Sequence, residues 1–124
     1  MHKRILLVDD NALTRGLVRF SIESRPGFEV CGEAADGVEG IEKGRELKPD
    51  LIVLDFSMPR INGLQAAVIL REIAPNTPII LFTIYKDAIP IPLARAAGVA
   101  SVLSKTDQLT LLADEIQRLT ASAN

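Results

Sequence analysis

The sequence predicts an α/β domain: a doubly wound, five-stranded parallel sheet with five helices, in the order β1-α1-β2-α2-β3-α3-β4-α4-β5-α5. Short apolar runs recur five times along the 124 residues, and stretches with helical spacing separate them. Runs such as Leu51–Leu54 show no alternation of polar and apolar residues, which is typical of strands buried on both faces. Because parallel strands need crossover helices, this rhythm favours one open sheet covered on both sides.

The strands are predicted at the apolar runs, and right-handed crossovers between them produce the doubly wound arrangement. The predicted strands are Ile5–Val8, Phe28–Cys31 (continuing towards Glu33 and Ala34), Leu51–Leu54, Ile79–Phe82 and Val99–Leu103.

Helix signals fill the intervals between the strands. Asp36 with Glu39, and Asn62 with Gln65, are capping-box pairs for the second and third helices. The first and last helices are predicted from apolar spacing, at Leu13, Leu17 and Phe20, and at Leu109, Leu112, Ile116 and Leu119. The last stripe is interpreted as core packing before partner binding.

The fourth helix is expected to be short, because Pro90 and Pro92 cannot both lie inside a regular helix. Pro92 is predicted as its first residue. Thr106 is predicted to cap the last helix, with Asp107 in its first turn. Residues 120–124 are predicted to fray.

Composition limits the class of protein. The chain has 48% hydrophobic residues and a formal net charge of -2, which gives no electrostatic case for direct nucleic-acid binding. Its only cysteine, Cys31, cannot form an internal disulfide and is interpreted as a buried, inert thiol. No apolar run is long enough for a signal peptide or a membrane span. We expect one cytoplasmic domain over residues 1–124, with its core at 3–120 and no output domain.

Polar residues end the predicted strands, and in open α/β sheets ligands bind at the carboxyl ends of strands. Asp9 and Asp10 follow the first strand, Asp55 the third, Thr83 the fourth and Lys105 the fifth. Three acids at one edge repel one another unless a cation intervenes, and oxygen ligands suit Mg²⁺. The hydroxyl and the ammonium suit phosphate oxygens. The set therefore points to phosphoryl transfer onto an aspartate.

The chain resembles the receiver domain of two-component response regulators over residues 3–120, and this resemblance implies a flavodoxin-like fold of the receiver type. The motifs that carry it are Val8-Asp9-Asp10, Leu54-Asp55-x-x-Met58-Pro59-x-x-Asn62-Gly63, Phe82-Thr83, Ala97-Gly98-Val99 and Ser104-Lys105. Asn62-Gly63-Leu64, and Thr106 where proline often follows the lysine, resemble the receivers that precede helix-turn-helix output domains.

The resemblance implies that Asp55 accepts the phosphoryl group and that Thr83 and Lys105 hold it. It implies Mg²⁺ as cofactor, bound by Asp10 and Asp55, by Asp9 through water and by the Ser57 carbonyl. The implied donor is a phosphohistidine on a histidine kinase or phosphotransfer protein. The implied output is a change in protein contacts, self-association included, rather than catalysis on a substrate.

Three features depart from the common receiver pattern. Val102 stands where the family usually has a Tyr or Phe that rotates on activation, and Tyr85 is our hypothesis for its replacement. Ile84 adds bulk beside Thr83, which predicts restricted access and slow phosphoryl exchange. The segment containing Pro90 and Pro92 is predicted to be mobile, which would alter how activation is transmitted.

Alternative functions stay open. A degenerate, phosphate-independent receiver is one, because of these departures. A phosphatase with an aspartyl nucleophile is another, but Ser57 stands where such enzymes usually carry a second acid. A flavin or nucleotide binder would need a phosphate-cradling loop after the first strand, where Asp9-Asp10-Asn11 is acidic instead.

Overall fold

Five parallel strands form one sheet in the computed structural model, which describes residues 2–121. The strands are β1 (Lys3–Val8), β2 (Phe28–Ala34), β3 (Leu51–Leu54), β4 (Ile79–Thr83) and β5 (Ser101–Ser104). The helices are α1 (Ala12–Glu23), α2 (Gly37–Leu47), α3 (Gly63–Ile73), α4 (Ile91–Ala96) and α5 (Leu109–Thr120). The strands lie in the order β2-β1-β3-β4-β5, so the predicted doubly wound parallel sheet is confirmed.

Side chains on both faces of the sheet are buried, which explains the unbroken apolar sequence of the central strands. Leu6 and Val8 of β1 join a core cluster with α2, α3 and α4 on one face. Ile5 and Leu7 join a second cluster with α1 and α5 on the other face. A strand between two helix layers has no polar side, so alternation disappears from its sequence.

The two predicted capping boxes differ in detail. In α3 the box is complete, because the Asn62 side chain accepts from the Gln65 amide and the Gln65 side chain accepts from the Asn62 amide. In α2 the Asp36 side chain accepts from the Glu39 amide, but the Glu39 carboxylate accepts from Ala35, one residue earlier. Both predicted helix starts are confirmed.

The first helix faces the sheet with other residues than those that predicted it. Val18 and Ile22 are its buried residues, whereas Leu13, Leu17 and Phe20 lie on the solvent side and Phe20 is 77% exposed. Both sets have helical spacing, so spacing alone indicates the helix and leaves its buried face undetermined.

The predicted cap of α5 is wrong. The Thr106 hydroxyl lies 2.7 Å from the Ser104 hydroxyl, and the Thr106 and Asp107 amides donate to Ser104 oxygens. These bonds close a turn before the helix begins. The helix starts at Leu109, its cap position is Gln108 without a side-chain bond, and Asp107 lies outside it.

The apolar stripe of α5 packs in the core as predicted, with Leu112 and Ile116 buried. Fraying from residue 120 is wrong for Thr120, which is helical and buried and donates its hydroxyl to the Ile116 carbonyl at 2.7 Å. The rest of that prediction falls on Ala121, which follows the helix, and on residues 122–124, which lie outside the described part.

The fourth helix is short, as predicted, and covers six residues. It begins at Ile91, so Pro92 is its second residue rather than its first. A single 3₁₀ turn, Lys86–Ala88, precedes it. β5 begins two residues later than predicted because the Val99 amide donates to Ala94 and closes the end of α4 instead of pairing in the sheet.

Cys31 lies at an irregularity of the β1–β2 pairing, where Ile5 pairs with Val30 and Leu6 with Gly32. It is half-buried, not fully buried as predicted, because the extra residue leaves the regular pleat. Burial raises the pKa of its thiol, which favours the protonated form.

The longest helices, α1 and α5, have twelve residues each. Within residues 2–121, no helix has the length and apolar character required to cross a bilayer.

Candidate functional site

The predicted site residues lie along one edge of the sheet, at the carboxyl ends of four neighbouring strands. Asp9 and Asp10 follow β1, Asp55 follows β3, Thr83 ends β4, and Lys105 follows β5. Because these strands are adjacent and parallel, residues from distant parts of the sequence meet at this edge.

Lys105 joins two of the acids. Its ammonium lies 2.6 Å from Asp9 Oδ2 and 3.0 Å from Asp55 Oδ2. Oxygens of Asp9, Asp10 and Asp55 lie within 4.8 Å of one another. Asp9 and Asp55 are only 7% and 6% exposed, while Asp10 faces solvent. One ammonium therefore contacts two of three clustered carboxylates, so this cluster carries more negative than positive charge.

Asp55 is fixed from three sides. Its amide donates to the Val8 carbonyl at 2.9 Å, and its Oδ1 accepts from the Phe56 amide at 2.7 Å. The first residue of α3, Gly63, donates its amide to the Phe56 carbonyl at 2.7 Å. A Cβ on Gly63 would stand 2.2 Å from the Asp55 carbonyl oxygen, so the start of α3 packs directly on the Asp55 backbone.

Burial and ion pairing act in opposite directions on the central pair. Burial raises the pKa of Asp55 above its ordinary value, and the Lys105 ammonium opposes that rise. Burial by itself would lower the pKa of Lys105, but its bonds to Asp9 and Asp55 raise it. The lysine therefore stays charged, because its loss would leave two buried carboxylates uncompensated.

Thr83 is fully buried at the end of β4. Its hydroxyl oxygen accepts from the Tyr85 amide at 3.1 Å, and its carbonyl accepts from the Lys105 amide at 3.0 Å. Thr83 is thus tied to the loop that follows it and to the backbone of the site lysine. Ile84, between Thr83 and Tyr85, is 61% exposed.

Tyr85 contacts the segment after Asp55. Its ring lies edge-on to Phe56, with centroids 6.2 Å apart, and 44% of the residue is exposed. Val102, in β5, is partly buried and packs on the core cluster beneath α3 and α4. Tyr85, the aromatic residue that follows Thr83, therefore lies in the loop after β4. The role suggested for Tyr85 stays a prediction.

The donor set fits a hard divalent cation such as Mg²⁺. Asp9, Asp10 and Asp55 offer carboxylate oxygens close enough to share one ion, and no sulfur or imidazole group is part of that cluster. Ser57, the expected source of a carbonyl ligand, is exposed in the loop between β3 and α3. Its participation stays a prediction.

Sequence reasoning missed two supports of the site. Arg15 of α1 donates to the Asp9 carbonyl, and Glu33 at the end of β2 holds the same guanidinium. Because side chains on a helix point back towards its N-terminus, an arginine in the first turns after Asp9-Asp10 was a usable signal.

A fold with this strand order, and three acids, a threonine and a lysine at one edge, defines a receiver-type signalling domain. Comparison with known proteins agrees with that class. The family model of the response regulator receiver domain matches residues 5–117. The chain belongs to the response regulator receiver domain family.

Similar proteins include the chemotaxis protein CheY of Thermotoga maritima, 34% identical over 119 residues that cover 96% of this chain and 98% of CheY. The transcriptional regulatory protein LiaR of Bacillus subtilis is 39% identical over 92% of this chain, which spans about half (54%) of LiaR. The response regulator domain of Thermotoga maritima CheB superimposes with a TM-score of 0.89 at 29% identity, covering both chains fully.

Proposed function

We propose that this chain is a phosphorylation-controlled switch that accepts a phosphoryl group on Asp55. The observation that carries this proposal is the buried Asp55 carboxylate, held by Lys105 at 3.0 Å in a cluster of three acids. Phosphorylation of an aspartate is typical of the receiver family to which the chain belongs.

Each residue of the site has a role in phosphoryl transfer that follows from its chemistry. An Asp55 oxygen forms the bond to phosphorus while the bond from phosphorus to the donor nitrogen breaks, and the electron pair remains on that nitrogen. The Lys105 ammonium lies close enough to Asp55 to contact the oxygens of the new phosphoryl group without leaving the site. Thr83 can turn its hydroxyl from the Tyr85 amide to the phosphoryl group.

Asp9, Asp10 and Asp55, with the Ser57 carbonyl, would hold Mg²⁺. When bound, this ion neutralises charge on the three acids and on the phosphoryl oxygens. Without such a cation, a phosphoryl group brought to Asp55 would meet two further carboxylates and only one ammonium. The excess of acids over bases supports a divalent ion as part of the working site.

The donor that suits this site is a phosphohistidine on a histidine kinase or phosphotransfer protein. The output that suits it is a change in protein contacts, including self-association, propagated from Thr83 through the segment between Thr83 and α4. We place this activity in the cytoplasm, in a single receiver domain over residues 1–124 that does not itself bind nucleic acid or turn over a substrate.

Intact-mass spectrometry after mixing the protein with Mg²⁺ and acetyl phosphate tests the proposal. The expected result is one added phosphoryl group, lost in Asp55→Asn. Asp107→Asn is the matched control, because Asp107 is exposed in the turn before α5, and it should phosphorylate like the unmodified protein.

Failure to gain mass has two readings that beryllofluoride separates. Binding of this stable phosphoryl mimic without a mass adduct indicates fast hydrolysis and keeps the proposal. Absence of both refutes it and favours the phosphate-independent receiver, for which Val102 in place of an aromatic residue is the supporting observation. Phosphorylation at another residue in Asp55→Asn would refute the assignment of the acceptor.

A further inference from the structure

Arg15 links the acidic site to the far edge of the sheet. Its Nη1 donates to the Asp9 carbonyl at 2.5 Å, and its Nε donates to Glu33 Oε1 at 2.9 Å. We propose that Arg15, held by Glu33, is a positioning residue that orients the Asp9-Asp10 peptide so that the acids bind a divalent cation. This inference rests on the proposed function, because it concerns the cation of the same site.

The contact acts on Asp10 through the geometry of the peptide bond. Each peptide group is planar, so a bond to the Asp9 carbonyl also sets the direction of the Asp10 amide. Within residues 2–121, the Asp10 side chain makes no hydrogen bond or ion pair that could orient it instead. The position of the Asp10 carboxylate therefore depends on the orientation of the Asp9-Asp10 peptide plane.

Asp9 is anchored at its amide, at its side chain and at its carbonyl, and Arg15 supplies the anchor of the carbonyl. The Asp9 amide donates to the Ala34 carbonyl at 3.0 Å, its Oδ1 accepts from the Asn11 amide, and its Oδ2 contacts Lys105. The Ala34 and Lys105 contacts fix the start of the residue and one carboxylate oxygen, and the Asn11 bond closes a turn around the Asp9-Asp10 peptide, which Arg15 holds from its carbonyl side. Among the described residues, only the Arg15 guanidinium holds the carbonyl, and Arg15 also borders the recess that Asp9 and Asp55 line.

Glu33 makes the guanidinium a rigid support. Its Oε1 accepts from Arg15, and its Oε2 accepts from Arg19 Nη1 at 2.7 Å. Burial by itself would raise the pKa of Glu33, but hydrogen bonds from Arg19 and Arg15 lower it, so the carboxylate stays ionised. The Arg15 side chain is only 17% exposed, which limits its freedom to leave the bridge.

Charge and geometry predict opposite results when Arg15 is removed. A guanidinium near three acids repels Mg²⁺, so loss of its charge alone should tighten cation binding. Loss of an orienting partner should weaken it, and such partners are typically worth about tenfold or more in metal affinity. The sign of the change therefore separates a positioning residue from a bystander charge.

Isothermal titration calorimetry with Mg²⁺ alone, on the full chain, is the test. We expect Arg15→Met to raise the Mg²⁺ dissociation constant roughly tenfold. Arg15→Lys keeps the charge but cannot bridge both acceptors. Its Mg²⁺ dissociation constant should therefore lie between those of the unmodified protein and Arg15→Met. Circular dichroism confirms that each variant is folded before titration.

Arg25→Met is the matched control. Arg25 also joins distant segments through its guanidinium, to Asp114 and Gln117 of α5. It does not contact the acids of the site. It should lower stability and leave Mg²⁺ affinity unchanged. Unchanged or tighter Mg²⁺ binding by Arg15→Met overturns the inference.

An equal loss of affinity in Arg25→Met would also overturn it, since general destabilisation would then explain the effect. Absence of Mg²⁺ binding in the unmodified protein would overturn this inference and the cation dependence of the proposed function together.

Discussion

Adding a single methyl group at Gly63 should damage both stability and phosphorylation. Alanine is the better helix former, and propensity alone would favour Gly63→Ala by up to about 1 kcal/mol. The new Cβ, however, would stand 2.2 Å from the Asp55 carbonyl oxygen and 2.9 Å from Phe56 Cα, whereas real Cβ atoms essentially never approach within 3.0 Å. Both obstacles are backbone, so no side chain can rotate away.

The magnitude follows from these two opposing effects. Overpacking of this kind typically costs about 1–3 kcal/mol, and a backbone obstacle belongs at the upper end. After the gain in helix propensity, we expect a net loss of about 2 kcal/mol in the free energy of unfolding. Urea denaturation would register it as a midpoint lower by about 1 M at an ordinary slope. Displacement of Asp55 should also slow phosphorylation by acetyl phosphate.

Gly16→Ala is the matched control, because Gly16 lies inside α1 and, apart from its chain neighbours and the adjacent helix backbone, no atom lies within 4 Å of the point where the new methyl group would stand. It should stabilise the protein by up to about 1 kcal/mol and leave phosphorylation unchanged. A Gly63→Ala variant as stable as the unmodified protein would refute the close packing of α3 on Asp55. Equal gains in stability in Gly63→Ala and Gly16→Ala would also refute it.

Three further predictions concern other parts of the molecule. The Arg118 guanidinium lowers the pKa of Glu115 from 4.5 to about 2, so its stabilising contribution is complete above pH 4.5 and is lost as pH falls towards 2. Glu115→Gln should therefore reduce stability to urea at pH 7, with a difference that shrinks towards pH 2; a constant difference would contradict this. Ile84→Ala should speed phosphorylation by acetyl phosphate severalfold, and an unchanged rate would remove the predicted restriction. Tyr85→Ala should abolish self-association that depends on beryllofluoride, measured by analytical ultracentrifugation. Tyr85→Phe is the control, because it keeps the ring against Phe56. Unchanged association in Tyr85→Ala would end the hypothesis that Tyr85 replaces the rotating aromatic residue.

The sheet and the position of its acids were predictable because each depends on local sequence and one general rule. Leu51–Leu54 reads as a buried strand by itself, and ligands in such sheets lie at the carboxyl ends of strands. The complete Asn62–Gln65 box shows the same locality, since both bonds join residues three apart. Thr106 failed as a cap because Ser104, two residues earlier, competes for the same hydroxyl.

The ion pair between Arg15 and Glu33 was not predictable from any one segment, although the position of Arg15 shortly after Asp9 indicated its other contact. Glu33 stands 18 residues after Arg15 and meets it only because β2 pairs with β1 beside α1. The buried face of α1 was undetermined for a similar reason, since Val18 and Phe20 are both apolar and only contact with the sheet distinguishes them.

The order of strands and helices and the set of groups at the carboxyl edge could be derived from the chain alone, without knowledge of its packing. Those features follow from periodicity, capping and residue chemistry, which act over a few residues. The contacts among these groups are visible only in the folded chain: Lys105 lies between Asp9 and Asp55, Gly63 packs on the Asp55 backbone, and Arg15 holds the Asp9 carbonyl. The Lys105 contact joins segments 50 residues apart, and the other two join the end of a strand to the helix that follows it, so all three distances are set by how strands pair and helices pack.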